Sequence, residues 1–151
     1  MTLDNAEKTT TAQVEALIAR IDPALVDRID EVTNDSRGCR GVDVDPDQRV
    51  RQWENRRNVW LVESVSAPAG LDVLDELVTA QVADGWTVTR DRPSESGDGR
   101  RVQLTASETV GAGDEAGYGL SISAASDDAG PTVINVNAGS PCFEVPEKAA
   151  G

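Results

Sequence analysis

The chain has 151 residues, with 27 acidic against 14 basic side chains, a formal charge of −13 and no histidine. Such a length suits one domain with a buried core. The charge argues against nucleic-acid phosphates and anionic membranes as partners, and the lack of histidine removes the commonest residue of acid–base catalysis and metal binding.

Aromatic residues make up only 3% of the chain, so aliphatic side chains must carry the packing and Trp53, Trp60 and Trp86 gain weight. Lys8 and Lys148 are the only lysines; this is the residue usage of a high-GC genome, or of a halophile. No stretch approaches the ~18–20 apolar residues that span a bilayer. Met1-Thr2-Leu3-Asp4 opens a polar segment and not a secretion signal.

In chain order, residues 1–9 are polar and expected to be disordered. Thr10 and Gln13 have capping-box spacing, and Val14, Leu17, Ile18 and Ile21 follow at helical spacing. The stripe continues through Leu25, Ile29 and Val32, interrupted by Asp22-Pro23, so a kinked helix or two short ones are expected up to the Asn34–Gly38 turn. Residues 39–58 have no clean period. Val59 to Val65 reads as a strand. Pro68 and Gly70 turn the chain into a second helix with Leu71, Leu74, Val78 and Val82 on one stripe, Gly85 as its left-handed cap and Trp86 closing over its end.

From Trp86 the period becomes two. Trp86/Val88, Val102/Leu104/Ala106, Tyr118/Leu120/Ile122/Ala124 and Ile134/Val136 alternate with polar residues, separated by turn-rich segments at 93–99, 108–117 and 125–130. The expected order is therefore α-β-α-β-β-β-β. It makes an α+β two-layer sandwich over residues 10–145, an antiparallel sheet of four to five strands with helices on one face. Residues 146–151 would be a disordered tail.

The cysteines, Cys39 after the first helix and Cys142 after the last strand, bracket the domain. Neither belongs to a C-x-x-C pair, which leaves no zinc or redox motif. Their number, separation and placement predict a disulfide, and with it an oxidising compartment.

In this layout the chain resembles small exported lipoproteins and envelope proteins of actinobacteria, of the LppA-like type. The residues that carry the likeness are Gly38-Cys39-Arg40, Asp84-Gly85-Trp86, Gly117-Tyr118-Gly119-Leu120 and Ser140-Pro141-Cys142. The resemblance implies an extracytoplasmic compartment and a fold, and it transfers no catalytic residue. The lipid-accepting cysteine of such proteins is absent here, so signal and lipid anchor are expected upstream of this sequence.

Several constellations invite a chemical reading. Asp43, Asp45 and Asp47, with Glu54 at position 12, resemble a calcium loop. Gln48 stands where the turn needs glycine, Pro46 is rigid, no helix enters, and arginines compete for the carboxylates, so a solvated acidic loop is expected. Gly111-Ala112-Gly113 lacks phosphate-loop spacing and sits among Glu108, Asp114 and Glu115. No Gly-x-Ser-x-Gly turn occurs, and glycosidase-type carboxylate pairs meet only in space.

Trp53, Arg56 and Arg57, close to Trp60, form the island where positive charge and aromatic surface coincide. This is the expected recognition surface, with Trp60 itself in the core. The reading is a non-enzymatic binding or structural module of the cell envelope, without catalytic residues, metal or cofactor, whose partner is a protein or an envelope component. The alternative is a cytosolic acidic inhibitor or immunity-type protein that caps a basic partner and keeps its thiols free.

Overall fold

The computed structural model describes residues 1–94, 99–106, 116–126 and 131–146. The order is α1 (Leu3–Ala19), a 3-10 turn (Pro23–Leu25), β1 (Val26–Gly38), β2 (Val50–Leu61), α2 (Ala67–Ala83), β3 (Trp86–Pro93), β4 (Arg100–Ala106), β5 (Gly119–Ser126), β6 (Thr132–Gly139) and the short β7 (Phe143–Glu144).

Helix α1 starts at Leu3, capped by the Thr2 hydroxyl, which accepts from the Asn5 amide at 3.1 Å. Thr10, expected as the cap, lies inside the helix and returns its hydroxyl to the Ala6 carbonyl at 2.8 Å. Its buried face runs Ala6, Thr10, Gln13, Val14 and Leu17. The first of these are small or polar, so the stripe is invisible to hydropathy before Val14. The segment expected to be disordered, residues 1–9, is thus helical from Leu3. The expected tail lies, beyond Pro146, outside the described residues.

The second half of the expected first helix is a strand. Pro23 opens the 3-10 turn, with Asp22 accepting from the Ala24 amide at 3.0 Å, and β1 then pairs antiparallel with β2. Residues 50–58, aperiodic in sequence, belong to β2, which ends at Leu61 and not at Val65. The sheet is fully antiparallel in the order β1-β2-β6-β5-β4-β3, with β7 beside β2. The α+β class stands, but the sheet has more strands than the four to five expected, because β1 carries a helix-like apolar spacing and the first part of β2 has no clean period. The β3 to β6 meander is present as expected, with β6 paired to β2.

Both helices cover one face, α1 over β2 and β6 and α2 over β3, β5 and β6. Between the layers lies one core, built on Leu17, Leu61, Leu74, Leu77, Ile122 and Ile134, with Trp86 and Tyr118 buried in it too. Gly70 lets α2 approach β6, since a Cβ there would meet the Thr132 methyl at 2.6 Å. Gly85 ends α2 with φ of 100°, the left-handed cap read from the sequence.

Cys39 and Cys142 form a disulfide with Cα atoms 6.3 Å apart, within the usual range for a bridge. It joins the end of β1 to the segment entering β7, across the strand β2 that lies between them.

Candidate functional site

Alternation along the strands sends every second side chain to the face away from the helices. On β2, Asn55, Val59 and Leu61 are buried toward the helices, so Gln52, Glu54, Arg56, Asn58 and Trp60 point the other way. Register then places Asn137 and Ser121 in line with Arg56, and Asn135 and Ser123 in line with Asn58. Gln103 continues the first row and Arg101 the second. The centre of this open face is therefore a lattice of carboxamides and hydroxyls, donors and acceptors both.

Two of these groups are tied to each other: Asn135 donates to the Asn58 carbonyl at 2.6 Å. Asn137 donates to Glu54 at 3.0 Å, while its own side-chain carbonyl is buried without a hydrogen-bond partner. Gly119 and Gly139 are side by side in register. A Cβ on either would meet nothing closer than 3.7 Å, so packing does not demand glycine there. Their missing side chains leave a recess of about 460 Å³, bordered by Gln52, Gln103, Ser121, Asn137 and Cys142.

The charges on this face depart from the molecular average. Arg28, Arg37, Arg56, Arg90, Arg92 and Arg101 project from it, and among the described residues they outnumber the carboxylates Asp30, Asp35 and Glu54. At the β7 corner Glu144 is taken up by Arg49 at 3.1 Å. Among the described residues the helical layer has the opposite balance, with Asp4, Glu7, Glu15, Asp72, Asp75 and Glu76 against Lys8 on the two helices.

The expected recognition residues do not share a surface. Trp53 and Arg57 face the helical side: the Trp53 indole donates to Asn34 at 2.8 Å and Arg57 reaches Glu15 of α1 at 3.7 Å. Arg56 lies on the open face, 3.5 Å from Glu54. Trp60, expected in the core, lies on the open face too, with Arg28 stacked at 4.7 Å from its ring centroid and its indole N–H given to Asp30 at 2.9 Å. The run Val59 to Val62 is apolar throughout, so the sequence carried no sign of which parity faces inward.

Asp45 closes the 39–50 connection. Its carboxylate accepts from the Arg49 and Val50 amides at 3.1 and 2.9 Å, and these bonds hold its pKa below the ordinary carboxylate value. Gln48 has φ of 50°, so the chain does make the left-handed turn for which the calcium loop uses glycine. The Gln48 amide secures it by donating to the Arg40 and Asp45 carbonyls. Among the described residues no three acidic or cysteine side chains converge as metal ligands would. The Gly111–Gly113 loop lies outside the described residues.

A larger recess, about 860 Å³, sits where α1 begins, between Leu3, Ser36, Gln48 and Arg51. Both of its arginines are already committed to the fold: Arg51 donates to the Ser36 hydroxyl and carbonyl at 3.0 and 3.1 Å, and Arg49 pairs with Glu144. The residues that the sequence reading missed are Arg90, Arg92 and Arg101. The signal was present: Arg90 and Arg92 are two apart on a strand of period two, and so share a face.

Comparison of the chain with protein-family models, with curated proteins and with solved structures finds no match. Among the described residues no helix is long and apolar enough to cross a membrane.

Proposed function

We propose that this protein is a non-catalytic binding module of an extracytoplasmic compartment, held in the cell envelope, and that the open face of its sheet is the contact surface. The observation that carries the reading is the bridge between Cys39 and Cys142. Cys142 is exposed, and an accessible disulfide persists in an oxidising compartment while cytosolic reductants remove it. The face supports the binding role by its shape and chemistry: broad, polar, and left uncovered by both helices. With no histidine in the chain, that face offers hydrogen bonding and charge in place of the usual proton-transfer group. The envelope assignment follows the resemblance carried by the cysteine-flanking segments.

Acid-quenched thiol trapping in cells of the source organism, combined with fractionation, tests this. The expected result is an oxidised pair in the envelope fraction. Two alkylated thiols in a soluble cytosolic pool would overturn it and favour the acidic inhibitor instead.

A further inference from the structure

Resting on that reading of the open face, we infer that its ligand is an acidic polysaccharide, a hydroxyl-rich chain carrying carboxylates at intervals. The argument starts at the β3–β4 edge. Arg92 and Arg101 stand directly opposite one another, and Arg90 follows on the same face opposite Gln103. All three arginines are exposed. Like charges directly opposed across a sheet are unfavourable. Elsewhere the chain resolves such charges: Arg28, Arg37 and Arg56 each have a carboxylate within 3.5 Å, and Arg100, on the opposite side of β4, is bound by Asp91 and Asp75. Among the described residues Arg90, Arg92 and Arg101 have no ion-pair partner. Ligand anions placed between them would turn that repulsion into paired, forked hydrogen bonds.

Beyond the arginines the surface changes character. Gln103, Ser121, Ser123, Asn135 and Asn137 offer short, fixed donors and acceptors, and the Gly119–Gly139 recess gives a bulky unit room to sit against the backbone. From β3 to β2 the face crosses four inter-strand gaps, about 19 Å at ~4.8 Å each, long enough for several sugar units to lie across the strands. Arg56 receives the far end.

Other polyanions fit less well. Single-stranded nucleic acid needs aromatic platforms for its bases, and the one aromatic ring here, Trp60, is already covered by Arg28. A protein partner needs apolar or aromatic anchors at the centre of the patch, where this face has carboxamides and hydroxyls. A membrane surface needs side chains to insert, and beyond β3 and β4 the aliphatic side chains of this face are small and scattered, Val50, Ala125 and Val133. At physiological salt the Debye length is about 8 Å, so carboxylates on the opposite, helical layer are largely screened from a ligand here.

Isothermal titration with oligogalacturonate, and in parallel with dextran, poly-L-glutamate, oligo-dT and phosphatidylglycerol vesicles, decides the matter. The proteins are the wild type, an Arg90→Gln/Arg92→Gln/Arg101→Gln variant and an Arg20→Gln/Arg49→Gln control, each checked by circular dichroism. Oligogalacturonate is expected to bind wild type and control alike, at least tenfold more tightly than dextran and the other anions. The triple variant should lose at least tenfold, and the wild-type affinity should fall by a similar factor between 0.05 and 0.5 M NaCl. Equal binding by the triple variant, a salt-independent affinity, no oligogalacturonate binding, or preference for one of the other probes overturns the inference. If that happens while the cysteines are trapped oxidised in the envelope, the ligand assignment fails alone and the compartment reading stands.

Discussion

Asp45 shows how one side chain can look like a ligand and act as a brace. Its two carboxylate oxygens take the Arg49 and Val50 amides, and those bonds lower its pKa. Because the folded value is lowered, the stabilisation is fully present above the unfolded value of ~3.9 and is lost as pH falls through the folded one. Asp45→Asn, a neutral isostere of the protonated form, is therefore expected to melt below wild type at pH 7. The gap should close as the pH is taken below the folded value; calorimetric scans across pH 2–7 check this, and a constant gap contradicts it. Trp60 makes the complementary point about legibility. Within an unbroken apolar run nothing marks parity, and only the buried neighbours Val59 and Leu61 place it outside.

At the scale of elements, legibility followed burial. Strands β4, β5 and β6 alternate buried and half-buried residues almost without exception, and their period of two could be read directly. Strand β1 is an edge with register shifts between Val26 and Arg28 and between Glu31 and Thr33. Each irregularity adds a residue and flips the alternation, which let Leu25, Ile29 and Val32 imitate a helical stripe. Ile29 and Val32 are in fact 46% and 48% exposed. Strand β2 hid for another reason: Arg51, Trp53, Asn55 and Arg57 meet β1, α1 or the first connection by polar contacts, so its inward face does not read as apolar. At the α2–β3 junction the left-handed Gly85 cap is legible, while Val82, expected on the apolar stripe, is exposed and Val73 and Leu77 are buried; the cap can be tested. Gly85→Ala places a Cβ at φ of 100°, which costs about 1–2 kcal/mol in left-handed geometry. Chemical denaturation should show a lower midpoint with an unchanged m-value, and an unchanged midpoint would mean that the cap is dispensable.

For the whole molecule, the formal charge of −13 hides an uneven distribution: among the described residues arginines gather on the open face, while the two helices carry mainly carboxylates. Composition yields the sum and only topology yields the separation, so Trp53 and its neighbours stand out in the sequence while the arginines gathered across the sheet do not. The covalent frame has a consequence of another kind. Cys39 and Cys142 are 103 positions apart and enclose β2, α2 and the whole β3–β6 meander in one ring. Tension applied to the two ends of the chain passes through α1, β1 and the sulfur bridge, and the ring between the cysteines carries none of it. Pulled in a force spectrometer, the oxidised protein should surrender only its outer segments. Adding reductant should release a further length of roughly 340–370 Å, at ~3.3–3.6 Å per residue, and the same full extension under both conditions would show that the bridge does not bear the load. A protein anchored at one end and pulled at the other would thus keep the part of its open face that runs from β2 to β3 enclosed, under a drag that strips away α1 and β1.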